Sequence, residues 1–417
     1  MESNNPSNEL LSEIKSLKEE ITKLKEDVSL LKVDKQMKDF KLQFLEQKLG
    51  LQDEQIKSLK SILKDQKNPE NIPEKKIQNK NTATTKKSIQ KSETPLKLEF
   101  NKDLTTNAPN YSAVTQMFSV FKSITNKTYL TWVTKNKTIE IYDLDSETLI
   151  RSIGNAHTND IYCCRHFNDS KKNIDYLITS SYDKSIKIWD LVNTDNKPLL
   201  TVANAHSNGY IYTPCILSHK NLDKNYIISG ADEDYIKIFD FEGKSLNKDI
   251  KVDTYINFLD TFYDEKTNEF YIIIGNGKDV RSLKFKDCSI FNIYGENDSS
   301  SHPHVILYKQ ENIVKLVESN LKGYIHIWDF HTGECLNTIF LQTVLSGICL
   351  WDYNYLISAC NDKELKIVNI DEGKVEKGLP GHNRACLSVQ KIKLSKYGEC
   401  IISHAKDGLL KLWTLKN

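Results

Sequence analysis

From Tyr111 onward the chain repeats one pattern: an apolar strand, a short polar turn with an acidic or amide residue, then an alternating strand ending in an aromatic and often Asp. Seven of these second strands fall at 138–143, 185–190, 235–240, 280–285, 324–329, 364–368 and 409–413. Their aromatic-equivalent positions are 142, 189, 239, 284, 328, 368 and 413, so the steps are 47, 50, 45, 44, 40 and 45. A unit of this size cannot bury its apolar face alone, and several strands per unit at a period near 45 close into a ring of small sheets. The expectation is an all-β, seven-bladed β-propeller over residues 96–417; six or eight blades stay open, because some repeats are assigned by period alone.

Closure of the ring is also legible. The last strand stops four residues from the end of the sequence and leaves no outer strand for the final blade. Residues 96–100 alternate suitably and are expected to fill that place, which would remove exposed sheet edges.

Ahead of the repeats lies a different pattern. With Ile14 at a and Leu17 at d, the a positions read Ile14, Ile21, Val28, Lys35, Leu42, Leu49, Ile56 and Leu63. The d positions read Leu10, Leu17, Leu24, Leu31, Lys38, Leu45, Gln52 and Leu59. Thirteen of these sixteen seam positions are aliphatic, so residues 10–66 are expected to form a long α-helical coiled coil. β-branched a positions with Leu at d in the first three heptads favour two parallel strands. In that register Glu13–Lys18, Glu20–Lys25, Asp27–Lys32, Lys41–Glu46 and Lys48–Asp53 attract across the pair, while Asp34–Asp39 repels. Self-association through residues 10–63 follows, with pairing to another chain left open. The seam breaks at Lys35 and Lys38, where Val33, Met37, Phe40 and Phe44 form a second apolar stripe. Met37, Phe40 and Phe44 are candidate contacts for a helical partner at 33–44; local packing of the aromatics is the alternative. Residues 67–95 carry 7 Lys against 3 Glu, three prolines and no periodicity, which is the composition of a disordered, flexible basic linker. Residues 1–9 are expected to be a disordered N-terminus.

Charge is balanced overall, 57 basic against 56 acidic residues, which disfavours nucleic acid and membrane as primary partners. The first residues, Met1 to Pro6, lack an apolar signal core, and the nine cysteines lack CxxC spacing. Free thiols in a reducing compartment are therefore expected, with a cytoplasmic location and the nucleus left open.

The residues of the repeats carry a resemblance. Ile188-Trp189-Asp190 and Ile327-Trp328-Asp329 contain a Trp-Asp dipeptide, and Gly381-His382 is a Gly-His element with His157 and His206 in variant settings. A Ser or Thr lies four residues before a turn Asp and a Trp six after it in Thr179-Asp183-Trp189 and in Ser403-Asp407-Trp413. In these features the region resembles the WD-repeat family. The resemblance implies structural tetrads, His157, Thr179, Asp183 and Trp189 in one blade and His382, Ser403, Asp407 and Trp413 in another. Each would link an indole N–H through a hydroxyl and an imidazole to a carboxylate. His157, Asp183 and Thr179 could also be imagined as a catalytic triad, but two near-copies favour the structural role. Other blades depart: the third has Phe239 for Trp and Glu233 for Asp, and the sixth has Val368.

Chemistry is looked for without success: no phosphate-cradling loop, zinc helix or nucleophile elbow is present, and Cys163-Cys164 would point to opposite faces of a strand. No enzyme activity, cofactor or metal is expected. The order of coil, linker and propeller is similar to that of autophagy 16-like proteins and mitochondrial-fission adaptors, a likeness of architecture. In the family the narrow loop face commonly binds, which makes Asn159, Tyr182, Tyr210, Asp232, Arg384 and Lys406 candidate contacts for protein or peptide partners. The expected function is a dimeric, non-catalytic scaffold or adaptor. The alternative is a permanent subunit of a ciliary, cytoskeletal or RNA-processing assembly.

Overall fold

The computed structural model describes residues 94–416, apart from 106–117, 135, 170, 192–194, 208–209, 247–248, 253, 296–299 and 302–303. The expected coil, most of the linker, and Met37, Phe40 and Phe44 lie outside the described residues. Among the described residues the strands form seven four-stranded antiparallel sheets.

A single strand, β1 (Leu98–Thr105), comes first, after a short 3-10 turn at Pro95–Lys97. Blade 1 is β2 (Phe118–Lys122), β3 (Thr128–Val133), β4 (Ile139–Asp143) and β5 (Thr148–Ile153). Blade 2 is β6 (Ile161–Asp169), β7 (Ile174–Ser181), β8 (Ile186–Asp190) and β9 (Leu200–Val202). Blade 3 is β10 (Ile211–Leu217), β11 (Tyr226–Ala231), β12 (Tyr235–Asp240) and β13 (Ile250–Lys251). Blade 4 is β14 (Ile256–Asp264), β15 (Glu269–Asn276), β16 (Val280–Lys284) and β17 (Ile290–Tyr294). Blade 5 is β18 (His304–Gln310), β19 (Ile313–Ser319), β20 (Tyr324–Asp329) and β21 (Cys335–Phe340). Blade 6 is β22 (Leu345–Leu350), β23 (Tyr355–Cys360), β24 (Glu364–Asn369) and β25 (Lys374–Pro380). Blade 7 is β26 (Cys386–Leu394), β27 (Gly398–Ala405) and β28 (Leu410–Leu415), with β1 as its outer strand.

The ring closes as the sequence suggests, though with a shifted segment. β1 pairs antiparallel with β28, Leu98 opposite Leu415 and Phe100 opposite Trp413. The strand begins at Leu98 rather than Leu96, because Pro95 opens a 3-10 turn that runs to Lys97. Leu98 is fully buried, the Lys411 ammonium lies 2.6 Å from Asp103, and Lys377 donates to the carbonyls of Leu96 and Leu98. The closing strand is therefore held by blade 6 as well as by its own sheet.

The core lies between blades rather than within them. Trp189 of blade 2 packs with Val133, Ile139 and Ile153 of blade 1, and Trp413 of blade 7 packs with Trp351, Ile357 and Leu365 of blade 6. Each sheet is apolar on both faces because it has a neighbour on both sides, so its central strands read as near-continuous apolar runs such as Tyr271 to Ile274. The Asp that ends many third strands has a local cause. Asp143 accepts from the backbone N–H groups of Asp145 and Ser146, Asp240 from Glu242 and Lys244, and Asp329 from His331 and Thr332. Asn369 does the same for Asp371 and Glu372, so an amide serves where the carboxylate is missing.

One alignment read from the sequence is wrong by a residue. Pairing of β15 with β16 sets Leu283, not Lys284, where β7 and β8 set Trp189. The turn closed by Asn276 and Asp279 is one residue shorter than that closed by Ser181 and Ser185. The apolar Leu283 is buried, and Lys284 takes the place of the Asp that ends other third strands.

Candidate functional site

First strands of six blades line a central channel of about 600 Å³, in which Arg165 of β6 reaches Asp260 and the Leu259 carbonyl of β14. At one end of the ring, the turn between the second and third strands of a blade bonds to the loop that enters its first strand. Tyr182 N donates to Asp160 O at 2.9 Å, Asp232 N to Tyr210 O at 3.0 Å, and Lys406 N to Ala385 O at 2.9 Å. Leu321 with Ser301 and Asn361 with Val344 repeat the contact in blades 5 and 6. These paired segments form the loop face, and all six candidate residues on the propeller belong to them.

Beneath the loops run buried polar chains. In blade 2 the Trp189 indole N–H donates to Thr179 Oγ1 at 2.9 Å, Thr179 meets His157 Nε2 at 2.8 Å, and His157 Nδ1 meets Asp183 at 3.0 Å. In blade 7 the matching distances are 2.8 Å from Trp413 to Ser403, 2.8 Å from Ser403 to His382, and 2.9 Å from His382 to Asp407. Donor logic fixes the protons. An indole only donates, so the hydroxyl must pass its own hydrogen to Nε2, which leaves Nδ1 protonated and facing the carboxylate. Burial pushes the His157 imidazole below its ordinary value, against the pull of Asp183, and so keeps it neutral. Burial raises the Asp183 carboxyl, but hydrogen bonds from His157 and Ser185 outweigh it and hold the group well below the usual range. The same balance lowers Asp407.

The carboxylates do a second job, accepting from the backbone of the residue after each histidine, Thr158 N at 3.0 Å and Asn383 N at 2.9 Å. The entering loop is thus pinned to the turn beside it. Gly381 fits here because a Cβ would come 2.8 Å from the Trp413 ring. Thr179 and Ser403 are fully buried, so neither hydroxyl is open to a substrate. Blade 3 keeps a shorter chain, His206 to Ser229 at 3.0 Å and to Glu233 at 3.1 Å, with Phe239 in place of the indole donor. Blade 5 keeps the indole of Trp328 but has Glu318 at the hydroxyl position, turned toward His326. The Trp328 N–H is buried with no hydrogen-bond acceptor among the described residues.

On the surface above, the six candidates fall into two groups. Tyr182 stacks on Tyr210 with ring centroids 4.2 Å apart, and Tyr210 lies parallel to Tyr212 at 5.8 Å. Tyr162, nearly buried, meets both Tyr210 and Tyr212 edge-on. Asp232 is exposed beside them, and Asn159 is half-buried, its carbonyl accepting from Ser181. Arg384, exposed, and Lys406, half-buried, stand apart on blade 7, beyond blade 1 in the ring. Sequence reasoning named Tyr182 and Tyr210 but missed Tyr162 and Tyr212. The signal was present, since Tyr210 and Tyr212 are two apart and therefore share a face of an extended strand.

These features define a class: a seven-bladed propeller whose loops are pinned by Trp–hydroxyl–His–carboxylate chains. The model for "WD domain, G-beta repeat" matches residues 148–190, which run from β5 through β8 and so join the outer strand of blade 1 to three strands of blade 2. The matched repeat and the seven-sheet fold together support a WD-repeat propeller. The chain is 24% identical to the U3 small nucleolar RNA-associated protein 21 homolog of Schizosaccharomyces pombe over 124 residues, 29% of this chain and 13% of that protein. It is 33% identical to Autophagy-related protein 16 of Arabidopsis thaliana over 86 residues, 20% of this chain and 16% of that protein. The chain thus spans less than a fifth of either relative. Propellers of this family are generally non-catalytic platforms for protein partners.

Proposed function

We propose that this chain is a non-catalytic interaction scaffold, paired through a coiled coil at residues 10–63, that binds protein or peptide partners through the loop face of its propeller. The observation that carries the reading is the stack of Tyr182, Tyr210 and Tyr212 above turns that are already fixed from below. Rigid aromatic area loses little entropy on binding, and protein interfaces concentrate their energy in such anchors. Pairing by the coil would make each partner contact bivalent, so that modest single-site affinity suffices. A helical partner at Met37, Phe40 and Phe44 and a cytoplasmic location belong to the same proposal.

A second reading, a permanent subunit of a larger assembly such as a ciliary, cytoskeletal or RNA-processing complex, is favoured by the likeness to a protein named for its association with a small nucleolar RNA. Purifying the tagged full chain from cells across a salt series, from about 0.1 to about 1 M, separates the two. A scaffold sheds its partners as salt rises, and a variant carrying Tyr182→Ala with Arg384→Glu captures less of them. Stoichiometric co-purification at every salt concentration supports the fixed subunit, and full capture by the variant contradicts the loop-face reading.

A further inference from the structure

The two halves of the loop face differ in charge, and the difference has a consequence for what binds there. On blades 2 to 4 the exposed or half-buried groups are rings and carboxylates: Tyr182, Tyr210, Tyr212 and Tyr255, with Asp160 and Asp232. Tyr255 is held flat against the turn of blade 4, where a Cβ on Gly277 would come 2.9 Å from its ring. The two lysines beside Tyr182 are turned away onto the protein's own backbone, Lys251 pairs with Asp234, and Lys278 is exposed at the blade 4 turn. Lys184 donates to the Ser207 carbonyl at 2.8 Å, and Lys187 to the Ala156 carbonyl at 2.7 Å while lying over Trp189. Around the stacked rings the nearest charge is accordingly negative. The Tyr210 phenol is pushed up by its hydrogen bond to Tyr182 and by the nearby charge of Asp232. Burial pushes Tyr212 up to about 12, with Asp232 adding to it.

The geometry points to a cation site: the tyrosine and carboxylate surface over blades 2 to 4 takes Arg or Lys side chains from an extended segment of a partner protein. Three features combine in it. Ring faces attract a cation through their quadrupole, and an arginine also stacks on them as a plane. Carboxylates at the edge accept its N–H groups. The platform is already ordered, since Asp232 N is bonded to Tyr210 O and the Glu233 carboxylate next along is tied to His206 and Ser207. An acidic segment would meet like charge in this sector and would have to use Arg384 and Lys406 on blade 7. This inference rests on the loop-face reading above and adds the chemistry of the occupant.

The test is a selection of random dodecapeptides displayed on phage against the full-length chain, followed by affinity measurements on a labelled peptide from the selected pool. The expected pool is enriched several-fold in Arg and Lys. The chosen peptide binds the Tyr182→Ala, Asp232→Asn variant about ten-fold more weakly, and its citrulline-substituted form binds the unaltered chain about ten-fold more weakly. Arg384→Glu changes its affinity less than about two-fold. Both altered side chains of the double variant are exposed, and an unchanged melting temperature shows that the fold is intact. A pool enriched in Asp and Glu whose peptide is lost on Arg384→Glu overturns the cation site while leaving the loop-face reading in place. Peptides indifferent to every one of these variants overturn both.

Discussion

Blade 2 and the boundary between blades 4 and 5 are held together by different means. In blade 2 the loop at the channel end is pinned by a polar relay, Trp189 to Thr179 to His157 to Asp183. Between blades 4 and 5 no such relay is present among the described residues, and rings pack instead around Phe330, near the turns between first and second strands. Phe262, Tyr271, Phe291 and Tyr294 surround Phe330 at centroid distances from 5.1 to 6.0 Å. Polar links there run from Tyr294, whose hydroxyl lies 2.7 Å from the Phe330 carbonyl and 3.1 Å from Ser282, from Asn292 to the carbonyls of Phe330 and His331, and from His331 to Asp264. A relay fixes direction and proton position, whereas an aromatic cluster fixes volume. The partner-binding candidates Tyr182 and Tyr210 stand over the polar chains of blades 2 and 3, where the turns are fixed by hydrogen bonds.

The contrast can be broken at several points. Deleting residues 96–104 opens the ring at blade 7 and exposes the edge of β28, so it should lower the melting temperature more than any single substitution. An unchanged thermal transition would refute closure by β1. Phe330→Ala should cost about 3–5 kcal/mol in denaturant unfolding, since it empties the centre of the aromatic cluster. Two tryptophans then separate relay from cluster. Trp413→Phe removes the donor to the buried Ser403 hydroxyl and should cost about 1–3 kcal/mol. Trp328→Phe removes an N–H without an acceptor and should stay within about 1 kcal/mol of zero. Equal losses at the two sites would mean that the indole bond contributes nothing measurable.

Acid should act on the relay in particular. His157 is held below its ordinary value of 6.5, so the unfolded chain takes up its proton first and stability falls as pH drops below about 6.5. Asp183 and Asp407 are also held low, so their contribution is present above the ordinary carboxylate range and is lost as pH falls through their folded values. The melting temperature should decline steadily from pH 7 to pH 4, and His157→Gln should flatten the upper part of that decline. The smallest effect is expected on the surface, where Tyr182→Ala should change stability by less than about 0.5 kcal/mol.

Much of this was legible before the structure, for a physical reason. A repeated unit shows its period even where single positions drift, so the seven third strands stand within a residue or two of the stretches read from sequence. Register in a degenerate blade is not local, however. Lys284 could be told from Leu283 only once Tyr271 and Ile272 were paired across from them. The outer strands were harder still, since β9 and β13 have only three and two residues. At the candidate site, single residues beside the His and turn-Asp positions could be named, but their division into a tyrosine-rich and a basic sector depends on contacts between blades. Tyr162 meets Tyr210 only because blade 2 packs on blade 3.

The claim that the loop face is where partners bind is tested most directly by a photo-crosslinking amino acid placed at position 182 of the full chain in cells. Position 266 serves as the control, on an exposed turn between first and second strands at the other end of blade 4. A protein adduct from position 182 and none from position 266 is the expected result. Adducts from position 266 alone would place the working surface on the opposite face and contradict the claim.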